Sequence, residues 1–300
     1  MVKKRPAITL FITLAVIVAM LSLVGIVFAY LSEAKTKARD KSALIESNLI
    51  YADAIDTLKS FLGKKPSSNT LERIYSIPLS VSEVDGPFTM MVACSPSCAA
   101  IPITWFSEKG DKKINRRRFG EASRVFETIT TQARLKDPEL LLSLITKAID
   151  SKREFLFGVE GRLNHNPKYL GYPQFKSILA EYLLETDDKN VYNINWKSYF
   201  SFGEECKAID GDFLSSKLVS LLFGIDEQIV QEDFKSGHLK EFLQSNQEDM
   251  ELYNSGLFAT DPKNPLVAMK CNVSYTFAGG NYSFNFKYKN GKVDSFEFNK

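Results

Sequence analysis

The pattern of apolar and polar positions changes at residue 32. From Ala7 to Leu31 the chain runs 25 residues without a charge, and most of them are apolar. At 1.5 Å per residue such a run crosses a hydrocarbon layer of roughly 30 Å as one helix. Beyond it the apolar residues become periodic. Ala34, Ala38, Ile45, Leu49, Ala52 and Ile55 recur mostly three or four apart, which draws one stripe along a helix. Residues 32–62 contain neither Pro nor Gly, and Gly63, Lys64, Lys65 and Pro66 then supply a stop. The pattern therefore predicts one continuous helix of about 55 residues, roughly 80 Å long, half apolar all round and half striped.

After a turn at Pro66-Ser67-Ser68-Asn69 the period shortens. Residues 74–81, 88–93 and 101–106 are rich in β-branched and aromatic side chains, broken by Asp85-Gly86-Pro87 and Ser95-Pro96, and read as strands. From about Arg117 the pattern is helical again, with helices predicted over 122–135, 138–149, 175–184, 213–223, 227–235 and 238–245. Asp137-Pro138-Glu139 opens one of them as N-cap, first-turn proline and first-turn acid, and Asp210-Gly211-Asp212 is placed to cap another. At the end, 271–277, 282–288 and 293–298 alternate strictly, with turns at Gly279-Gly280-Asn281 and Asn290-Gly291. Phe284, Phe286, Phe296 and Phe298 would share one face of this three-stranded meander. That face needs a cover, and the stripe on the first helix is the expected one. The fold class is α+β: a long N-terminal helix packed on an antiparallel sheet, with a mostly α-helical insertion. The organisation follows as a basic leader at 1–6, a membrane span at 7–31, the soluble half of the helix at 32–62, a first β region at 66–116, an inserted helical domain at 117–265 and the meander at 266–300.

Charge adds orientation. Lys3, Lys4 and Arg5 form a compact cluster before the span, which favours the N-terminus inside and the bulk outside. Without those three, 35 basic residues face 36 acidic ones, a balance that gives no footprint for nucleic acid. Arg116-Arg117-Arg118 is short and reads as a solvated turn. A removed signal peptide would carry an apolar core of only about 7–15 residues and end in small ones. Here the run is longer and closes on Phe28-Ala29-Tyr30-Leu31, so a retained anchor is expected.

Four cysteines, Cys94, Cys98, Cys206 and Cys271, suit an exported domain. Pro96 in Cys-Ser-Pro-Ser-Cys could turn the chain back to bridge Cys94 with Cys98, leaving Cys206 with Cys271. Free thiols are the alternative, and spacing does not fix the pairing. No phosphate loop, nucleophile elbow or zinc-helix motif is present, and His165 and His238 are the only histidines. A zinc site has no second cysteine pair. Glu185, Asp187 and Asp188 cluster beside Asn190, and Asp210 lies beside Asp212, spacings that read as turn and cap residues rather than a calcium loop. Trp196, Tyr199, Phe200 and Phe202 read as core.

A basic leader, an unbroken apolar run beginning Ala7-Ile8-Thr9-Leu10-Phe11, a spine helix and a final antiparallel sheet resemble the type IV pilin and pseudopilin plan. Within it, the chain is most similar to the K-type minor pseudopilins of type II secretion. Its length, the helical block inside the β region and stretches such as Asp137-Pro138-Glu139-Leu140-Leu141 and Ile209-Asp210-Gly211-Asp212-Phe213-Leu214 carry that resemblance. It implies a non-enzymatic assembly subunit of a bacterial inner membrane, with a periplasmic domain. Its partners would be other minor pseudopilins, met through the N-terminal helix, and exported substrate or other secretion components. No organic cofactor is implied. Because K-type members bind calcium, Glu185, Asp187, Asp188, Asp210 and Asp212 become its candidate ligands. Phe11 stands where most pilins carry Glu and K-type members do not, which implies a subunit at the filament tip. One position departs from the family: Pro6 replaces the leader's final Gly, and its fixed φ and missing amide hydrogen would hinder cleavage between Pro6 and Ala7. An uncleaved, stand-alone inner-membrane protein with a periplasmic scaffold or sensing domain is the alternative that Pro6 raises.

Overall fold

The computed structural model of the chain describes residues 6–63, 66–82, 89–107, 112–150, 170–203, 206–248, 250–259, 265–277, 280–289 and 291–299, with side chains from residue 10 onward and not at 294, 295 and 299. The leader charges Lys3, Lys4 and Arg5, the side chain of Ala7, the Asp85-Gly86-Pro87 turn, His165 and Asn290 therefore lie outside the described residues or side chains.

Helix α1 runs unbroken over Pro6–Leu62 and ends where Gly63 takes a φ of 63° and donates its amide to the Lys59 carbonyl at 3.0 Å. It is the one helix among the described residues long and apolar enough to cross a membrane. From residue 43 on it lies on an antiparallel sheet of five strands in the order β1-β2-β7-β8-β9, where β1 is Leu79–Ser82, β2 Thr89–Pro96, β7 Ala268–Phe277, β8 Gly280–Lys289 and β9 Lys292–Asn299. Alternation puts Met90, Val92 and Cys94 of β2, Met269, Cys271, Val273 and Tyr275 of β7, and Tyr282, Phe284, Phe286 and Tyr288 of β8 on the helix side. Phe296 and Phe298 of β9 pack against the same core. The meander of the last three strands is as the sequence predicts, and the fold class is α+β.

The face of α1 that covers this sheet differs from the expected stripe. Ala43, Ser47, Ile50, Ala54, Leu58 and Leu62 are buried, at spacings of four, three, four, four and four, whereas Ile45, Leu49 and Ala52 are exposed. Of the predicted stripe only Ile55 is buried. The reason is closeness. Ala43, Ser47 and Ala54 let the helix backbone approach the aromatic sheet face, so that the Tyr275 hydroxyl reaches the Ala43 carbonyl at 2.7 Å. Tyr51 wedges edge-on against Phe284, Phe286 and Phe296, with ring centroids 6.1, 5.7 and 5.1 Å away.

Between β2 and β7 the chain leaves the sheet and builds a second core. Strand β3 is Ile101–Pro102; helices α3 (Lys113–Gln132), α4 (Pro138–Asp150) and α5 (Tyr172–Thr186) follow, then β4 (Phe200–Ser201) and β5 (Ile209–Asp210), α6 (Ser216–Phe223), α7 (Glu227–Asp233), α8 (Leu239–Ser245) and β6 (Phe258–Ala259). β3 pairs with β4 and β5 with β6, both parallel. Phe106, Phe126, Phe175, Trp196 and Phe200 form the aromatic centre of that core. Trp196 satisfies its indole N–H on the Val191 carbonyl at 2.9 Å. Asp137 caps α4 as expected, its Oδ1 accepting from the Leu140 amide at 2.9 Å.

Three local expectations are corrected. Residues 68–76 are a helix, α2 (Ser68–Ser76), because Ser67 Oγ accepts from the Thr70 amide and caps it; the strand begins only at Leu79. Residues Ile103–Phe106 form a 3₁₀ turn, not a strand, and place Trp105 and Phe106 in the second core. Arg116-Arg117-Arg118 lies within α3 rather than in a turn, with the Arg118 guanidinium 5.6 Å from the Trp105 ring centroid and donating to the Lys207 carbonyl. If the docked face is the one described, Leu58→Ala will cost the detergent-solubilised chain about 2–5 kcal/mol in guanidinium denaturation. Leu49→Ala will cost no more than about 0.5 kcal/mol.

Candidate functional site

Two regions carry the features that sequence reasoning selected: the exposed surface of α1 and the neck through which the chain leaves and re-enters the sheet. On α1 the side chains from Leu10 to Leu31 are all exposed, Phe11 at 72% among them. Pro6 is the first described residue of α1. The span's apolar surface is thus offered in full to its surroundings.

At the neck, β2 and β7 are antiparallel neighbours, with Pro96 opposite Met269 and Cys94 opposite Cys271. The disulfides join Cys94 with Cys271 and Cys98 with Cys206. This corrects the expected local bridge. Pro96 does not turn the chain back; β2 stays extended through it, and the Ser97 amide goes on to bond Ala268 at 2.9 Å. Cys94 therefore faces across the ladder, where Cys271 occupies the partner position. Cys98, past the strand end, meets the segment that enters β5. The second bridge packs with Ala268 into a small buried cluster at the neck.

The acidic candidates separate into two places with different chemistry. Asp188 is buried and fully used: its Oδ2 accepts from the Lys136 amide at 2.7 Å and the Tyr182 hydroxyl at 3.1 Å, and its Oδ1 from the Asn190 amide at 3.1 Å. Burial pushes this carboxyl up, but those donors and the Lys136 charge outweigh it and hold it below the usual carboxylate range. Asp187 is the C-cap of α5 at a φ of 49°, and Glu185 is exposed on the last turn. Asp188 thus clamps the α3–α4 connection to the end of α5.

Asp210 and Asp212 lie at the neck, each 2% exposed. They do not cap α6 as expected; Ser215 does, its Oγ accepting from the Leu218 amide at 3.3 Å. The Asp210 amide instead donates to the Cys98 carbonyl at 2.8 Å, beside the second disulfide. Asp210 Oδ2 has no hydrogen-bond partner, and neither have the buried hydroxyls of Tyr75 and Ser68 on α2. The Tyr75 ring stands edge-on to Phe213 at 4.9 Å, and the Gly237 amide donates to the Asp212 carbonyl at 2.8 Å. Burial first, then the Asp212 carboxylate, pushes the Asp210 carboxyl up to about 8. Burial likewise pushes the Tyr75 hydroxyl up, with Asp210 adding to it. A calcium shell takes six to eight oxygens. Among the described residues no three acids, histidines or cysteines converge into one group.

Sequence reasoning named Asp210 but missed Tyr75 and Ser68, because α2 is far off in the chain and was read as linker and strand. It also missed Lys287, whose Nζ reaches the Gly203 carbonyl at 3.0 Å from β8 across the neck. His238 is exposed at the start of α8, 4.0 Å from Glu241. A shallow groove of about 410 Å³ is bordered by Arg117, Glu121, Glu248 and Leu252.

No protein-family model matches the chain, and no curated protein does. Among solved structures, the fold is similar to a chain of the GspK-GspI-GspJ complex from the type 2 secretion system of enterotoxigenic Escherichia coli. The TM-score is 0.57 at 13% identity, over 89% of this chain and 99% of that one. The two chains thus share a fold over nearly the whole length of this one.

The raised carboxyl has a signed consequence. The folded chain holds the Asp210 proton to about pH 8, while the unfolded chain releases it near the ordinary carboxylate value. Stability from this group is therefore full below roughly pH 4 and is lost as pH rises toward 8. Asp210→Asn should match the native chain in denaturant melts at pH 4.5 and exceed it at pH 8.5; a native-like melt at both would refute the buried, unpaired carboxyl.

Proposed function

We propose that the protein is a non-enzymatic, membrane-anchored assembly subunit, a tip-located minor pseudopilin of a type II secretion apparatus or a related pilus or transformation system. Residues 7–31 hold it in a bacterial inner membrane, the N-terminus is cytoplasmic, and the remainder is periplasmic. Its partners are other minor pseudopilins, reached through α1, and exported substrate or other secretion components. Nucleic acid is not among them, given the near-zero charge of the exported part.

The observation that carries this reading is the pairing of the pseudopilin-like fold over 89% of the chain with a helix whose residues Leu10 to Leu31 are uncharged, mostly apolar and exposed. Two features support it. The disulfides suit an oxidising compartment, which supports a folded part outside the cytoplasm. Phe11 puts no carboxylate into lipid, where one would need a neighbouring subunit's charge as partner. A subunit lacking that carboxylate has nothing to offer a subunit beyond it, as suits a tip. The helical core is then the part that faces substrate or other components.

Pro6 favours a second reading, the uncleaved stand-alone anchor. Mass spectrometry of the mature chain separates the two. A start at Ala7 is expected for the assembly subunit, whereas an intact start at Met1 or Val2 would remove it in favour of the anchor. A chain beginning at residue 32 is expected to be soluble and to bind smaller pseudopilins of the same cell; failure to bind any of them counts against the assembly role.

A further inference from the structure

Between Leu31, where the span ends, and Ala43, where the sheet begins, α1 is charged. Lys35, Lys37, Arg39 and Lys41 lie there against two acids, Glu33 and Asp40, and all four cations are exposed. The acids are in use. Glu33 pairs with Lys37 at 2.6 Å, and Asp40 Oδ1 accepts from the Tyr282 hydroxyl at 3.3 Å. Lys35 and Arg39 stand one turn apart with no acid three or four residues to either side, and like charges at that spacing repel. Lys41 has no acid at those spacings either. Among the described residues none of these three cations makes an ion pair.

Resting on the membrane-anchored reading, we infer that Lys35, Arg39 and Lys41 form a collar that seats the phosphates of anionic phospholipids in the leaflet from which the folded domain emerges. The heights agree. At 1.5 Å per residue Lys35 stands about 6 Å above Leu31 and Lys41 about 15 Å. A headgroup layer is roughly 5–8 Å thick, and its charge is felt about 8 Å further in physiological salt. Helical side chains lean toward the helix N-terminus, which here is toward the bilayer, so Arg39 and Lys41 reach down to that layer. The sheet also comes low. Phe286, the ladder partner of Cys271, packs on Tyr51, whereas Tyr275 bonds Ala43, so β7 descends along α1 and its end at Phe277 points at the bilayer. The collar thus lies in the gap between domain and membrane. A phosphate between Lys35 and Arg39 relieves their repulsion, which a zwitterionic headgroup with its own ammonium does poorly. At about 100° per residue Lys41 falls on another side of the helix, so α1 is gripped from two sides and its depth is fixed.

The test takes the full chain, purified in detergent, into mixed micelles of equal phosphatidylglycerol and phosphatidylcholine, and identifies the lipids it retains by native mass spectrometry. Phosphatidylglycerol should be retained over phosphatidylcholine by roughly fivefold or more, given the attraction of each juxtamembrane cation to anionic lipid. Lys35→Gln with Arg39→Gln and Lys41→Gln should bring the ratio close to one. Lys112→Gln with Lys113→Gln and Arg116→Gln, three exposed cations at the start of α3, should leave it unchanged. The collar variant should keep its thermal midpoint within about 2 °C, because its three side chains are exposed. Displacement of the lipid by inorganic phosphate at matched ionic strength would overturn the lipid in favour of a soluble anion. An equal ratio for the unaltered chain, or the same preference in the collar variant, would overturn the collar; if that chain still needs detergent or lipid to stay in solution, the anchor reading stands. An unaltered chain that is soluble without either would remove the anchor reading, and the collar with it.

Discussion

The pairing of β2 with β7 is the constraint on which the rest of the molecule hangs. These strands are adjacent in the sheet, yet the whole second core lies between them in sequence. Until they pair, β1 is detached from the meander and α1 has only part of its floor. Closing a loop of that length costs entropy, although the cost grows only with the logarithm of length. Cys94 and Cys271 sit at partner positions in this ladder, 177 residues apart. In the chain-entropy account, a cross-link over a loop of that size offsets about 5 kcal/mol. The second bridge, spanning 108 residues, fastens the entrance of β5 to the same neck. The two bonds thus act where the helical insertion would otherwise swing on a two-strand hinge.

Much of this architecture is legible in the sequence because it is local. The stop at Gly63, the cap at Asp137 and the alternation of Phe284 with Phe286 each follow from a few neighbouring residues. What was not legible is set by partners far away. Cys94 has a cysteine four residues on, and only the register of β2 against β7 shows that its partner is Cys271. Ile74 carries a β-branched side chain that reads as strand, but the Ser67 cap and burial of Leu71 and Ile74 against the sheet make the segment helical. The acids at 210 and 212 were visible as acids. Their burial depends on α2 and the Gly237 turn, which no window around residue 210 contains.

The neck also sets local chemistry against packing. Asp210 Oδ2, Tyr75 Oη and Ser68 Oγ are buried there without partners. Unsatisfied polar groups of this kind cost stability wherever they occur. They lie where α2, the insertion and β7 meet, a junction that two disulfides already hold. Covalent restraint at the neck allows imperfect polar packing there without releasing the insertion.

The misread stripe on α1 shows why amphipathicity is an incomplete guide to which face of a helix is inside. A stripe found from sequence marks where large apolar residues line up, and on this helix that line faces outward. The docked face is poorer in apolar bulk because it needs closeness more than volume: Ala43, Ser47 and Ala54 admit the aromatic rings that the sheet supplies. Hydrophobic mass at that contact sits mostly on the strands, as Tyr275, Phe284 and Phe286. Leaving Ile45 and Leu49 exposed costs solubility unless something covers them, since contiguous exposed apolar surface marks a contact. From residue 43 on, one face of α1 covers the sheet and the other stays exposed. The sequence periodicity reports the division without saying which face belongs to which.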